Sequence, residues 1–388
     1  MLGTPWVHNK QVLHSVIPAQ FHFKHTSRTD MSSMSKKVKG LMERLRAGEK
    51  VICAEGYIFL FERRCYVRAG PFVPEVVLDH PELVKQTHEE FVNAGSDVVM
   101  AFTYYAHREK LALIDREKDI EKMNRTALRI AREVADKTGT LVAGDICNTN
   151  AFDPKDPTCR EKVKNMFKEQ ILWAVEEGAD FIVAETFGIF EEAMIALKAI
   201  KEFGSGLPAV ITLSACQTEP VSLDGVDLIE CFRQLEAAGA DVMGLNCARG
   251  PATMLPLLEN IQSAGFKTPI AAVPVTYRTT EEMPCFFGLL DPVTGEKSFP
   301  LNLDCYFNTR NDVSKFGRRC DELGINYVGL CCGNSPHLTR SLAESLGRVT
   351  PSSKFSPDMT LHCIYGSDDR VNTYLRKDVK ASFTAEGE

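Results

Sequence analysis

The feature that most constrains the fold of this chain is a repeated unit in which a helical pattern stops at glycine and an apolar run follows. The unit is seen at residues 94–99, 177–183, 238–243 and 323–328. Glycine just past a helix end adopts a left-handed conformation that other residues resist, so the run behind it is predicted to be the next strand.

All such runs together give eight predicted strands, near residues 51–57, 97–104, 140–147, 180–187, 208–215, 241–248, 269–275 and 326–332. Amphipathic helical patterns lie between them, as at Ile120, Met123, Ala127, Ile130 and Val134. Apolar strands that alternate with amphipathic helices indicate parallel strands covered by helices. Eight such units favour an α/β fold of the (β/α)₈ TIM-barrel type. The competing fold is a doubly wound sheet, which would normally carry a Gly-rich phosphate turn after its first strand.

The barrel is predicted to occupy residues 34–349, between a leader at 1–33 and a C-terminal extension at 350–388. The leader is expected to be disordered. Its Lys10, Lys24 and Arg28, with no acid before Asp30, leave a mitochondrial transit peptide as the alternative to a cytosolic leader. The extension is expected to pack on the outside of the barrel or on another subunit, as an oligomer contact.

Charge and cysteine content narrow the partners and the compartment. A net charge of −7 argues against nucleic acid or an anionic membrane as the main partner. No apolar run approaches the roughly 18 residues that span a bilayer. Thirteen cysteines in a chain of this length indicate a reducing compartment, with thiols used for packing or metal. We therefore expect a cytoplasmic protein, with mitochondria as the alternative.

In a TIM barrel, functional side chains cluster where strands end at their carboxyl side. The polar or reactive residues predicted there are Glu55, Thr103, Asp145, Cys147, Glu185, Asn246, Cys247, Cys331 and Cys332. The connection from Val275 to about Asn311 is longer than a normal βα loop and is predicted to cover the site.

Three of these cysteines form a predicted metal site. Cys247 ends the sixth strand, whereas Cys331 and Cys332 end the eighth, about 10 Å away at a strand spacing of ~4.8 Å. Thiols from both strands can therefore meet on one zinc ion. Cys331 and Cys332 can share it only if the strand ends there, because adjacent residues on a strand face opposite sides, and Gly333 permits such a turn.

Three thiolates with no evident fourth protein ligand are typical of an open, catalytic zinc site. A further thiol bound there would lose its proton and yet stay nucleophilic, which favours alkyl transfer to sulfur over hydrolysis. The alternative is that the cysteines are small buried hydrophobic residues.

Several motifs between residues 45 and 350 resemble those of the homocysteine S-methyltransferase family, most closely its betaine–homocysteine branch. They are Glu62-Arg63-Arg64, Ala69-Gly70-Pro71, Phe102-Thr103-Tyr104-Tyr105, Ala184-Glu185-Thr186-Phe187, Gly244-Leu245-Asn246-Cys247 and Gly329-Leu330-Cys331-Cys332-Gly333. The resemblance implies a barrel in which Cys247, Cys331 and Cys332 hold Zn²⁺ and Glu185 meets the amino group of the substrate. It also implies a homo-oligomer, either a dimer or a tetramer.

The chain departs from the family pattern at the end of the first strand. The family usually has Asp-Gly-Gly there, and this chain reads Ala54-Glu55-Gly56. Glu55 either replaces the aspartate from a neighbouring position or leaves its role unfilled, because a one-residue shift on a strand turns the side chain to the other face. This loop is expected to meet the amino-acid end of homocysteine.

The methyl donor is expected to carry an onium cation, which aromatic faces hold favourably. Phe72, Tyr104 and Tyr105 are candidates for that wall, and core packing is the alternative for Phe72 and Tyr104. The betaine branch carries Trp at the position of Phe72 and Tyr at that of Thr186. Since Phe is a weaker cation–π partner than Trp, a donor other than glycine betaine remains open.

The sequence thus predicts a zinc-dependent S-methyltransferase that moves a methyl group from betaine or a related onium donor to homocysteine, giving methionine. Its predicted substrate-binding residues are Glu55, Gly56, Phe72, Thr103, Tyr105, Glu185 and Asn246. Three alternatives stay open: a related barrel with a different thiol acceptor, a non-catalytic zinc-binding homologue, and a barrel for a phosphorylated substrate.

Overall fold

A computed structural model describes residues 38–371 of the chain. Eight parallel strands close into a barrel in the order in which they occur in the sequence. They are β1 (Val51–Ala54), β2 (Val98–Met100), β3 (Leu141–Cys147), β4 (Phe181–Phe187), β5 (Ala209–Leu213), β6 (Val242–Asn246), β7 (Ile270–Val273) and β8 (Tyr327–Leu330). The predicted TIM barrel is confirmed, and the doubly wound sheet is excluded.

Helices connect the strands on the outside of the barrel. They are α1 (Leu41–Arg46), α2 (Tyr57–Arg63), α3 (Val76–Asp79), α4 (Pro81–Ala94), α5 (Arg108–Leu111), α6 (Ile120–Thr138), α7 (Cys159–Glu176), α8 (Phe190–Phe203), α9 (Leu228–Ala237), α10 (Pro251–Ser263), α11 (Arg310–Glu322) and α12 (Pro336–Ser345). Within residues 38–371, no helix has the length and apolar character needed to cross a membrane.

The helix–glycine–strand unit folds as its sequence predicts. In α6 the predicted apolar positions, which run from Ile120 to Val134, are all buried against the barrel. The helix ends at Gly139, whose φ of 72° is left-handed, and β3 begins two residues later. Gly95 does the same between α4 and β2, with a φ of 115°. The strands are buried on both faces, which explains their continuous apolar sequences.

Strands β1 and β8 are adjacent, pair from Val51 with Tyr327 to Ala54 with Leu330, and so close the barrel. Both end earlier than the sequence predicts, at Ala54 and Leu330 rather than near residues 57 and 332. The residues that follow are apolar or buried, and their composition therefore looks like a continued strand. Because the pleat stops there, its alternation of faces no longer dictates where the next side chains point.

The chain after α12 forms two short 3₁₀ segments, Pro351–Phe355 and Met359–Leu361. The hydroxyl of Ser352 donates to the carbonyl of Asn93 on α4 at 2.9 Å. Arg348 forms an ion pair with Asp97 at 2.6 Å beside β2. The described part of the predicted extension therefore lies against the outer surface of the barrel. The predicted leader at 1–33 and residues 372–388 of the extension lie outside the described residues.

Candidate active site

A cavity of about 350 Å³ opens where the carboxyl ends of the strands meet. Aromatic and aliphatic side chains form most of its wall, and carboxyl, thiol and amide groups are inserted among them. The polar members of the wall are Asp145, Asn148, Asn150, Glu185, Thr186, Ser214, Cys216, Cys247, Cys331 and Cys332. In this fold, that position is where catalytic residues from different strands converge.

The three predicted metal ligands come together in this cavity. The sulfur of Cys332 lies 3.7 Å from that of Cys247 and 3.9 Å from that of Cys331. All three sulfurs lie within 4.8 Å of one another. Cys247 and Cys331 are buried, and Cys332 is half-buried. Three thiols on one side of a small space are able to hold a metal ion and leave its other side open.

The local backbone explains how neighbouring residues can both reach this point. β8 ends at Leu330, so Cys331 and Cys332 belong to a turn rather than to a pleated strand. Gly333 closes that turn with a φ of 82°, and a Cβ there would lie 2.3 Å from the hydroxyl oxygen of Thr276. The predicted condition for a shared site, a strand end followed by a permissive glycine, is therefore met.

The thiols also interact without a metal. Hydrogen bonds from the Cys331 and Cys332 thiols hold the pKa of the Cys247 thiol well below its usual value. The pKa values of the Cys331 and Cys332 thiols are raised by their hydrogen bonds with Cys247 and also by burial. One sulfur of the group therefore carries negative charge more readily than an isolated buried cysteine.

Glu185, at the carboxyl end of β4, is held by a small hydrogen-bonded network. The amide nitrogen of Asn246 donates to its Oε2 at 2.6 Å, and the hydroxyl of Thr186 donates to the same oxygen at 3.0 Å. The backbone N–H of Thr186 in turn donates to the amide oxygen of Asn246 at 2.8 Å. Burial raises the pKa of Glu185 to about 7. The network fixes the carboxyl in one orientation beside the thiols.

Glu55 remains at the site in spite of its shifted position in the sequence. It lies one residue beyond β1, and a carboxyl oxygen comes within 4.8 Å of both a carboxyl oxygen of Glu185 and the sulfur of Cys331. Its side chain is 1% exposed, and burial together with repulsion from Glu185 raises its pKa. The alternation of faces along a strand does not apply to Glu55, because β1 has already ended at Ala54.

Gly56 is required by the close approach of two loops. Its φ is 83°, and a Cβ at this position would lie 2.2 Å from the carbonyl oxygen of Cys331. The backbone after β1 therefore rests directly on the backbone that carries two of the three thiols. This contact couples the first-strand loop to the cysteine group.

Aromatic side chains, here called the aromatic wall, form much of the cavity lining. Phe72, Tyr104 and Tyr105 line it as predicted, and Phe286, Phe287 and Phe299 join them from the long connection between β7 and α11. Phe72 stacks on Phe59, with ring centroids 5.5 Å apart. Tyr104 and Tyr105 are in contact, with centroids 4.3 Å apart. The wall offers several ring faces and few charges.

Five residues of the cavity wall have left-handed backbone conformations although none is glycine. They are Phe72, Tyr105, Asn150, Thr186 and Cys247, with φ between 52° and 63°. Such conformations are uncommon for residues with a Cβ and cost of order 1–3 kcal/mol each. Their concentration in the wall of one cavity is the pattern expected of a functional site, where strain serves to aim side chains.

Of the residues selected from the sequence, Gly56, Phe72, Tyr105, Glu185 and the three cysteines line the cavity. Glu55, Thr103 and Asn246 lie behind its wall. The hydroxyl of Thr103 donates to the carbonyl of Asp145 at 2.7 Å, and Asn246 is engaged with Glu185 and Thr186. These side chains hold the wall rather than face its interior.

The selection from the sequence omitted Asp145, although it was recognised as a polar strand end, and the three phenylalanines of the long connection. The length of that connection was the available signal for the phenylalanines. Asp145 differs from the other polar strand-end residues in that its carboxyl is buried without hydrogen-bond partners among the described residues. A single sequence does not show this property.

Comparisons with known proteins identify the family of the chain. A model of the homocysteine S-methyltransferase domain matches residues 59–346. A betaine–homocysteine S-methyltransferase from Xenopus tropicalis is 37% identical over 347 residues, which cover 86% of this chain and 82% of the relative. An S-methylmethionine–homocysteine S-methyltransferase from Mus musculus is 34% identical over 341 residues, which cover 86% of this chain and 88% of the relative.

The fold has a solved counterpart. The metallated form of the homocysteine methyltransferase MmuM from Escherichia coli superposes with a TM-score of 0.61 and covers 78% of this chain and 98% of that one. Its sequence is only 16% identical, so this likeness supports the fold alone. The family model and the curated relatives carry the assignment: the chain belongs to the homocysteine S-methyltransferase family of methyltransferases.

Proposed function

We propose that this chain is a zinc-dependent S-methyltransferase that moves a methyl group from betaine or a related onium donor to homocysteine, giving methionine. The observation that carries the proposal is the convergence of the three thiols in the wall of a largely aromatic cavity, with Glu185 close to Cys331. The cavity therefore offers a place for a thiol, a place for an ammonium group and a wall for an onium cation.

The sulfur spacing fits zinc. Four ligands at the corners of a tetrahedron, with Zn–S bonds of about 2.3 Å, have sulfurs roughly 3.8 Å apart. The measured separations from Cys332 to its two partners are 3.7 and 3.9 Å. Cys247, Cys331 and Cys332 are thus the residues that would hold the ion. Bound there, zinc would supply an open position at which a thiol loses its proton.

The acceptor end of the cavity is suited to an amino acid thiol. The carboxyl of Glu185 is oriented by Asn246 and Thr186 and lies close to the cysteine group. An acceptor that places its sulfur among the thiols can therefore place its ammonium group against Glu185. Such two-point binding fixes the direction from which the sulfur meets a methyl group.

The donor end is suited to a trimethylammonium or sulfonium group. Phe72, Tyr104, Tyr105 and the phenylalanines of the long connection present ring faces to the cavity. Aromatic faces attract such cations by about 0.5–2 kcal/mol each. Relatives that use betaine and relatives that use S-methylmethionine match the chain about equally well, so we propose the onium class rather than a single donor.

The reaction is one displacement at carbon. The bond from the methyl carbon to the onium nitrogen or sulfur breaks, a bond from that carbon to the acceptor sulfur forms, and the onium group leaves neutral. Since the donor already carries the charge that makes it a good leaving group, no general acid is needed. The protein contributes alignment of the two reactants and the exclusion of water. For well-aligned groups, this can lower the barrier by about 7–11 kcal/mol.

A donor screen tests the proposal. Purified protein loaded with zinc is given homocysteine and, in separate reactions, glycine betaine, dimethylsulfonioacetate and S-methylmethionine, and methionine is measured. Cys331→Ala, which lacks one ligand, is run beside it. We expect turnover with at least one donor and none in the variant. Zinc bound at one per chain without methylation of homocysteine by any of the three would contradict the proposal.

A different thiol acceptor is the second candidate, and Glu55 is the observation that favours it. This residue adds a buried carboxyl group at the end of β1, where the family usually carries an aspartate one position earlier. If homocysteine is not methylated while another amino thiol is, the zinc chemistry stands and the acceptor is different. If no thiol is methylated, the chain is a non-catalytic zinc-binding homologue.

We also propose a cytoplasmic location and a homo-oligomeric state. All thirteen cysteines lie within the described residues and all are free, which suits a reducing compartment. Val349, Phe355 and Tyr365 are exposed by 61–92% and offer an apolar surface for self-association, as a dimer or a tetramer. Sedimentation of the protein and of Phe355→Glu tests the association, and fractionation of cells tests the compartment.

A further inference from the structure

Asp145 is a buried carboxyl for which the structure provides no partner. Its side chain is 3% exposed, and it lines the floor of the cavity together with Gly56 and Tyr57. Neither carboxyl oxygen has a hydrogen-bond partner among residues 38–371. A buried carboxyl whose oxygens are both unpaired is unfavourable even when burial keeps it protonated, and its presence in a cavity wall points to a partner that comes from outside the protein.

The surroundings of Asp145 add negative rather than positive charge. On β3 it is paired with Val183, and Glu185 lies two residues further along β4 on the same inward face. Repulsion from Glu185 adds to burial in raising the pKa of Asp145. Carboxyl oxygens of Glu55 and Glu185 lie within 4.8 Å of each other, and Oε2 of Glu55 has no hydrogen-bond partner within the described chain. Three carboxyls therefore converge at one end of the cavity.

The kind of ligand follows from what these groups lack. Unpaired carboxyl oxygens need both positive charge and hydrogen-bond donors, and a primary ammonium group supplies one charge and three N–H donors. A methylated onium group has no N–H and is better held by the aromatic wall. A metal ion is less suited, because Asp145 is in neither set of side chains within residues 38–371 whose ligand atoms lie within 4.8 Å of one another.

We propose that Asp145 is a specificity-determining residue that, together with Glu185, binds the primary ammonium group of an amino acid thiol. The inference deepens the proposed function, on which it rests, by defining the acceptor as a thiol that must carry an unsubstituted ammonium group. Asp145 accepts one N–H of the ammonium group, and Glu185, which lies close to Cys331, accepts another.

The test is a binding measurement that needs no methyl donor. Calorimetry with zinc-loaded protein compares L-homocysteine with its desamino analogue, which keeps the thiol and carboxylate and lacks the ammonium group. The variants are Asp145→Asn, which keeps the shape and removes the charge, and Glu192→Gln as matched control. Glu192 is also a buried carboxyl, but it accepts hydrogen bonds from the N–H and hydroxyl of Thr149 and does not line the cavity.

We expect Asp145→Asn to weaken homocysteine binding by about 10- to 100-fold, the range of one charged hydrogen bond. Binding of the desamino analogue and the zinc content should stay unchanged, and Glu192→Gln should bind both thiols as the unaltered protein does. The inference is overturned if Asp145→Asn loses affinity equally for homocysteine and for the desamino analogue, or loses none for homocysteine. It is also overturned if the unaltered protein does not bind homocysteine more tightly than the desamino analogue.

This inference and the proposed function can fail separately. Loss of homocysteine binding in Asp145→Asn, in a protein that methylates no thiol, supports the ammonium site and contradicts the methyltransferase. If the unaltered protein forms methionine and Asp145→Asn binds homocysteine as tightly as the unaltered protein does, the methyltransferase is supported and the ammonium site is contradicted.

Discussion

The amide nitrogen of Asn246 donates a 2.6 Å hydrogen bond to the carboxyl of Glu185, and this bond joins the ends of β6 and β4 beneath the cysteine group. The amide oxygen of the same side chain accepts from the backbone N–H of Thr186. Asn246 is fully buried, and it does not line the cavity itself. Its effect on a substrate must therefore pass through Glu185.

Replacement of Asn246 by Ala should weaken both the fold and acceptor binding. It leaves the buried N–H of Thr186 and one lone pair of Glu185 unpaired, which should lower the free energy of unfolding by about 1–3 kcal/mol. The KM for homocysteine should rise, and the KM for the donor should not. Urea unfolding and steady-state kinetics measure the two effects. Unaltered KM for homocysteine, with zinc content intact, would show that Glu185 does not need this support.

Removal of one thiol should remove the metal. Cys331→Ala leaves two sulfurs, and zinc content measured by mass spectrometry should drop from one ion per chain to a small fraction of that. Methyl transfer should be lost with it, because two thiolates no longer make the open site that activates a thiol. Cys320→Ala is the matched control, since Cys320 is equally buried but lies on α11. Equal zinc in the two variants would disprove the assigned ligands.

The barrel and the cysteine group could be predicted from the sequence because both depend on local patterns. Glycine behind a helix, as at Gly95 and Gly139, marks the next strand, and a cysteine at a strand end is placed by the fold. The position of Glu55 could not be predicted, since it depends on β1 ending at Ala54. A strand end set by loop packing against Cys331 leaves no signal in the residues of β1 themselves.

The roles of the polar side chains were harder to predict for a related reason. Thr103, Asn246 and Asp145 are all polar residues at strand ends, and the sequence treats them alike. The structure separates them by hydrogen bonding: the first two are engaged by protein groups, whereas the carboxyl of Asp145 has none among the described residues. That difference arises from neighbours that are distant in sequence.

Replacement of Gly56 by Ala should disturb the site more than a glycine substitution elsewhere. The new Cβ would lie 2.2 Å from the carbonyl oxygen of Cys331, and the backbone is already left-handed. Gly139→Ala is the control, because Gly139 is also left-handed and has nothing within 4 Å of a Cβ. The control should cost about 1–2 kcal/mol of unfolding free energy, and Gly56→Ala should cost roughly 1–3 kcal/mol more. If denaturant unfolding gives similar losses of unfolding free energy for Gly56→Ala and Gly139→Ala, the loop after β1 can shift to accommodate the Cβ without strain.

Acid should destabilise the protein through His88. This histidine is 1% exposed, packs with its ring against Tyr57, and has no hydrogen-bond partner for either nitrogen among the described residues. Burial lowers its pKa to about 3, whereas an unfolded histidine titrates near 6.5. Between these values the unfolded chain binds more protons, so stability falls as the pH is lowered through that window.

The expected loss from His88 is roughly 2 kcal/mol of unfolding free energy between pH 7 and pH 5. His107, whose pKa burial lowers to about 4, should contribute in the same direction. His88→Phe keeps the ring contact and should remove its share of the pH dependence, whereas His80→Gln, at a largely exposed position, should not. The unfolding free energies of the protein and of both variants, measured with denaturant at pH 7 and pH 5, test this prediction. A pH dependence unchanged in His88→Phe would mean that His88 is not the acid-sensitive group.

Replacement of Phe72 by Trp should strengthen donor binding. Phe72 lines the cavity, stacks on Phe59 and has the left-handed backbone conformation noted above. Trp is the strongest cation–π partner, and a gain of about 0.5–1 kcal/mol corresponds to a KM for the onium donor that is two- to fivefold lower. The KM for homocysteine should not change, because homocysteine is proposed to bind through the cysteine group and Glu185 rather than through the aromatic wall. Phe72→Leu should raise the donor KM.

The charge of the donor provides the discriminating control for Phe72→Trp. Tert-butylacetate has the shape of glycine betaine with a neutral carbon in place of the nitrogen, and its inhibition constant measures contact area without cation–π attraction. If Trp acts through the charge of the donor, Phe72→Trp should bind betaine more tightly and bind tert-butylacetate nearly as before. If the binding of both compounds becomes equally tighter, the larger ring merely fills the cavity, and the aromatic wall selects its ligand by shape rather than by charge.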